Sequence, residues 1–183
     1  ENITGLGKDN EKDVINDCEQ NAFMRFLEKF HASHPQLKTI ILADALHSNA
    51  KVIKRLKEMN KSFILNVKPL KHKKLFSALK RKVEKDQAII FQKEETIGDK
   101  VKKKVTHFFE IANGIPLNAN YQEGLTLVNY KEVMEWVSPK GVKKIKEKKF
   151  SWVTDLSVTS HNAMEVMRAG RSRWRVNNET FTV

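Results

Sequence analysis

Two short apolar runs, LKTIILA at residues 37–43 and FILNV at residues 63–67, flank a stretch with helical spacing, and that pattern admits few folds. Both are aliphatic, β-branched and too short for a stable helix, so each reads as a buried strand. Between them Ser48 or Asn49 can cap a helix running to about Met59. Strand, crossover helix, strand is a βαβ unit with parallel strands. The first strand ends at Asp44. Functional groups of open α/β sheets gather in the crevice outside the carboxyl ends of parallel strands, which makes Asp44 a candidate carboxylate. Aspartate also begins turns into helices, and His47, Ser48 and Asn49 beside it read as capping residues.

The remainder extends this unit in both directions. Residues 1–12 are polar and read as a loop or frayed end, followed by a helix over 14–30 in which Ala22, Phe23, Phe26, Leu27 and Phe30 recur at helical intervals. After Pro69, the residues Leu70, Leu75, Phe76 and Leu79 form the apolar side of a basic helix to about Lys85. Segments 88–92, 105–117, 125–137 and 150–154 read as strands joined by turns at NG, EG and PKG, although the third could be a helix from Tyr130 onward. Ser160 is expected to cap a helix containing Met164, Val166 and Met167, with Gly170 stopping it and Arg171 opening the last helix. Residues 1–183 are thus expected to be one α/β domain, with residues 88–154 a β-rich insertion into its main sheet.

Charge narrows the partners. The net charge of +12 and pI of about 9.7 create a strong positive field that favours nucleic acid or another polyanion. Lysine runs recur at 68–82, 99–104 and 140–149, and they read equally as solvated faces. A lone Cys18 offers no intramolecular disulfide and suits a reducing cytosol. No signal-peptide pattern is present, and the chain is expected to be a piece of a longer protein. His31, His34, His72 and His161 show no metal-binding spacing, and His107, Trp136 and Trp152 read as core or cross-strand residues.

RAGRSRWRVNNETFTV, residues 168–183, closes a pattern that begins upstream. Arg173, Trp174, Arg175, Val176, Glu179 and Phe181, together with segments 16–27, 34–53, 63–75 and 150–174 in that order, resemble the catalytic core of bacterial insertion-sequence DDE transposases, the group marked by a Tyr-Arg-Glu-Lys signature. The resemblance implies an RNase H-like mixed sheet with flanking helices and a β-rich insertion before the last catalytic helix. It further implies two aspartates and a glutamate holding two Mg²⁺ (or Mn²⁺) ions for DNA strand cleavage and transfer.

By that resemblance Asp44 is the second aspartate. Glutamate is expected four residues after Arg173, where Asn177 stands, which leaves Glu179 as the remaining catalytic and metal-binding candidate. Arg171, Arg173, Arg175, Lys68 and Lys71 are the expected DNA contacts, and Trp174 packs beneath the helix or stacks on a base. No strand for a first aspartate precedes the lead-in helix, where Asp17 is available. The implied partners are transposon ends and target DNA, engaged as a homodimer in the bacterial cytoplasm at the nucleoid. The alternative is a catalytically inactive remnant that binds DNA without cutting it.

Overall fold

The computed structural model describes residues 8–99 and 101–180, and within these the side chains of residues 19–99 and 101–173. The lead-in helix α1 spans Lys8–Ser33, longer than the expected 14–30. Strand β1 is Ile40–Ala43, helix α2 is Ala50–Glu58 and strand β2 is Ser62–Asn66. The two strands pair in parallel, Ile41 opposite Phe63, so the βαβ unit forms as its spacing predicts. Asn49 caps α2 by accepting from Val52 N at 3.1 Å, and the helix buries Val52, Ile53 and Leu56 on the sheet. Contrary to expectation, β1 is short and only partly buried. It lies at the sheet's edge with β2 as its one strand neighbour, which leaves Leu37 and Ile40 about half exposed. The buried ammonium of Lys61 ties the α1–β1 connection down, donating to the carbonyls of Leu37, His34 and Pro35.

Helix α3, Lys73–Glu84, buries Leu75, Ala78 and Leu79, whereas Leu70 precedes it in a turn and points to solvent. An antiparallel meander follows: β3 (Ile89–Ile97), β4 (Lys103–Ile115), β5 (Leu125–Val137) and β6 (Lys143–Thr154). Residues from Tyr130 onward are strand, because β5 pairs along its length with both β4 and β6. The expected NG turn is instead a bulge within β4, where Gly114 adopts φ +69 and the register shifts between Ala112 and Ile115. The PKG turn is real, with Gly141 at φ +75. Strand β6 begins well before residue 150, since its lysines face solvent on a hairpin whose backbone is fully paired to β5.

The meander and the βαβ unit form one mixed six-stranded sheet in the order β1-β2-β6-β5-β4-β3. β6 makes the joint, antiparallel to β2 with Ile64 opposite Thr154. At this joint Thr154 Oγ1 donates to Phe63 O at 2.6 Å and Asp155 Oδ1 accepts from Phe63 N at 3.0 Å. One core cluster lies under α1, α2 and α3, around Leu27, Ile53, Phe63 and Leu79. The second gathers Phe109, Tyr130 and Trp152 beneath helix α4, Ala163–Thr180, with Met164, Val166 and Met167 packed against them.

Helix α4 runs unbroken through Gly170, where the sequence predicts a stop. Glycine stands there because a Cβ would lie 2.6 Å from the indole of Trp152, itself fully buried. The start of α4 is organised by Asn162, whose Oδ1 accepts from Thr159 N at 2.8 Å, rather than by Ser160. In an exposed helix Gly→Ala stabilises by about 0.5–1 kcal/mol. Here the clash reverses the sign, and Gly170→Ala is expected to destabilise by about 1–2 kcal/mol, read as a lower thermal unfolding midpoint.

Candidate nucleic-acid cleft

Because β1 and β2 are parallel, their carboxyl ends open at the same edge of the molecule, and β2 leaves the sheet there after Asn66. β6 continues past that point, with Ser151 O accepting from Val67 N at 2.9 Å. The gap between the strand ends and β6 is a cleft of about 570 Å³. Asp44 and Asn66 form its floor, Lys68 and Lys71 one rim, Lys149 and Ser151 the wall from β6, and Arg173 its cover from α4. The Gly170–Trp152 contact fixes how closely α4 approaches the sheet, and Arg173 follows one turn later.

Local hydrogen bonds hold Asp44 in place. Its Oδ1 accepts from Leu46 N at 3.0 Å in an Asx turn, and Ser48 Oγ donates to Ala45 O at 3.0 Å. The residues read as caps thus both shape the turn and start α2. His47 does more than cap: it is only 7 % exposed, stacks on Phe23 of α1 at 4.1 Å between ring centroids, and has no hydrogen-bond partner at Nδ1. Its Nε2 stands 3.9 Å from Asp44 Oδ1 and 3.8 Å from Glu19 Oε1. Burial holds the imidazole below its ordinary pKa, opposed by the charges of Asp44 and Glu19 and reinforced by Arg173.

Of the residues expected from sequence, the fold brings together Asp44, Lys68, Lys71 and Arg173. The side chains of Arg175, Asn177, Glu179 and Trp174 lie outside those described. Arg171 is turned away from the cleft: its guanidinium pairs with Glu132 and sits 5.3 Å over the Phe150 ring. Glu132 is 4 % exposed and also accepts from the Tyr130 hydroxyl at 3.1 Å. Burial raises its pKa, but Arg171, Tyr130 and Lys148 outweigh that and keep the carboxyl below its usual range. This pair docks α4 on the meander. Glu19 and Lys149 join the cleft without a sequence signal, for Glu19 arrives on α1 and Lys149 stands in a run that reads as solvated charge. Lys149 also pairs with Glu147 at 2.9 Å.

A hard divalent cation takes oxygen ligands, and here Asp44 and Glu19 offer carboxylates to the cleft. Among the described residues no group of three or more His, Cys, Asp or Glu is placed to hold a metal ion, so this donor set alone does not make a Mg²⁺ site. No described helix is long and apolar enough to cross a membrane. No protein-family model matches the chain, and no curated protein does either.

Because His47 is held neutral, its contribution to stability is present above the unfolded-state pKa of about 6.5 and is lost as pH falls through the lower folded value. Thermal unfolding between about pH 5 and pH 7.5 should therefore show a falling midpoint on acidification, and His47→Gln should flatten it. Arg171→Ala, which leaves the Glu132 carboxylate without its main partner, should cost about 2 kcal/mol in denaturant unfolding at neutral pH.

Proposed function

We propose that this chain is part of the catalytic domain of a DDE transposase with an RNase H-like core, and that the Asp44 cleft takes a DNA phosphodiester. The observation that carries this reading is the placement of Asp44 at the ends of two parallel strands, in a cleft that Lys68, Lys71, Lys149 and Arg173 line together with Glu19. Cations around a carboxylate suit a substrate that is itself anionic at the reacting centre. Forked hydrogen bonds from Arg173 and point charges from the lysines would hold phosphate oxygens, while Asp44, fixed by its Asx turn, meets the cleft with no reorganisation.

In this reading Asp44 and Glu179 would hold Mg²⁺ (or Mn²⁺), and a bound metal would supply Lewis-acid activation for phosphodiester chemistry. Residues 88–154 are the insertion that the family places before its last helix. The fold features that support the core assignment are the parallel β1–β2 pair with its crossover helix and a closing helix on the opposite face. Work on paired transposon ends as a homodimer, in the bacterial cytoplasm, belongs to the same proposal. A second reading, a derivative that binds DNA without cutting it, is favoured by the incomplete set of metal-binding groups among the described residues and by Asn177 where glutamate is expected.

For the complete protein, Asp44→Asn is expected to abolish Mg²⁺-dependent nicking of a supercoiled plasmid while leaving salt-sensitive DNA binding within about twofold. Unchanged nicking would remove Asp44 from the mechanism. Binding without nicking in the unaltered protein would select the second reading, and affinity indifferent to salt would count against both.

A further inference from the structure

Leu70 is 86 % exposed, the most exposed of the large apolar side chains described, and it occupies an unusual position. It tips the 68–72 turn on the rim of the Asp44 cleft, with exposed Lys68 near it in sequence and exposed Lys71, Lys73 and Lys74 lining the same groove. Among these four, no ion pair to a carboxylate is present, while in the neighbouring stretch Lys80 pairs with Glu84 at 3.8 Å. A single exposed leucine needs no explanation by itself. An apolar tip among exposed cations, however, repels a basic partner and offers an apolar protein surface no way to cover the lysines.

The turn is also built to resist collapse. Lys68 O accepts from Lys71 N at 3.1 Å and from His72 N at 3.0 Å, and Pro69 has its φ fixed by its ring. The imidazole of His72 then clamps the turn to the loop that carries Asp44. Its Nδ1 accepts from Lys68 N at 3.2 Å, and in the tautomer protonated at Nε2 it donates to Ser48 O at 3.0 Å. Leu70 is therefore carried on a turn that hydrogen bonds tie to the loop bearing Asp44.

Beyond the rim the basic surface continues. A groove of about 190 Å³ beside Leu70 shares Lys71 with the cleft, and shares Lys73 and Lys74 with a further groove of about 600 Å³ lined by Lys80 and Arg81. An occupant that is anionic outside and apolar within matches this arrangement, and beside a cleft read as taking a phosphodiester that occupant is a DNA duplex: phosphates along the lysines, stacked bases at the leucine. Leu and Pro are among the side chains that proteins insert between base steps, with Lys or Arg on the adjacent backbone.

We propose that Leu70 is a wedge that unstacks the duplex beside the Asp44 cleft, and that the α3 lysines hold the DNA extending away from it. Leu70 can act this way only if the cleft takes DNA, so its role rests on the function proposed above. Unstacking next to the cleft would kink the duplex and turn its backbone toward Asp44, at a cost of a few kcal/mol per step that the lysine contacts offset.

The test uses a short duplex with 2-aminopurine in place of the adenines of one strand, whose fluorescence rises on unstacking, and anisotropy for binding. The unaltered protein is expected to bind with a steep salt dependence and to raise the fluorescence. Leu70→Ala should bind within about twofold and lose most of that rise, while Lys73→Gln with Lys74→Gln should lower the slope of log affinity against log salt by about 1–2. A rise that persists in Leu70→Ala, or one absent from the unaltered protein when it binds, overturns the wedge but leaves the DNA reading standing. No salt-dependent binding by the unaltered protein overturns the DNA reading and the wedge with it.

Discussion

The register of β6 against β2 is the constraint on which the rest of this molecule depends. β6 belongs to both halves of the sheet, pairing with β5 along its length and with β2 at Ile64, Leu65 and Asn66. Side chains of a strand alternate between faces, so a slip of one residue would exchange them all. In the observed register Trp152 points under α4 and Val153 enters the opposite core, while Lys149, Phe150 and Ser151 line the cleft. Thr154 and Asp155 lock that register through side-chain bonds to the backbone of Phe63. One strand thus sets the seat of the helix that carries Arg173 and also builds the wall facing it.

How much of this was legible depended on whether a residue's role is local. The βαβ unit, a cap at Ser48 or Asn49 and the place of Asp44 at a strand end follow from spacing and turn chemistry within some thirty residues; the structure forms the unit and selects Asn49 as the cap. Gly170 misled because the usual meaning of glycine near a helix end is a stop, whereas here its missing Cβ makes room for an indole brought by a distant strand. The lysines of 143–149 misled because charge reads as loop, yet a hairpin reaching past its covering helices keeps strand geometry with polar side chains on both faces. Arg171 and Arg173 sit two residues apart on one helix and look alike in sequence. Their separation of about 200° around the axis sends one to Glu132 and the other to the cleft.

Two electrostatic arrangements divide the work between the faces. Under α4, the Arg171–Glu132 pair joins Tyr130, whose hydroxyl lies 2.7 Å from His107 Nδ1, and His107 Nε2 lies 3.1 Å from Glu95 Oε1. Each charge there has a partner, and the network serves to hold a helix on a sheet. At the cleft the balance is different, with cations gathered at Lys68, Lys71 and Arg173 and the carboxylates of Asp44 and Glu19 drawn to the buried His47. Cations outnumber carboxylates along this cleft, a distribution suited to an anionic partner.

The β2–β6 joint also governs the order in which the molecule can assemble. Phe63 and Thr154 meet across 91 residues, whereas the β3–β4, β4–β5 and β5–β6 pairings each join neighbours in sequence. Local hairpins close with little loss of chain entropy, and a distant pairing must wait until its loop has been shortened by other structure. The meander that folds between the two partners performs that shortening, bringing β6 back beside β2. The cleft needs both β2 and β6 in place, so it depends on the strand pairing with the largest sequence separation in the sheet.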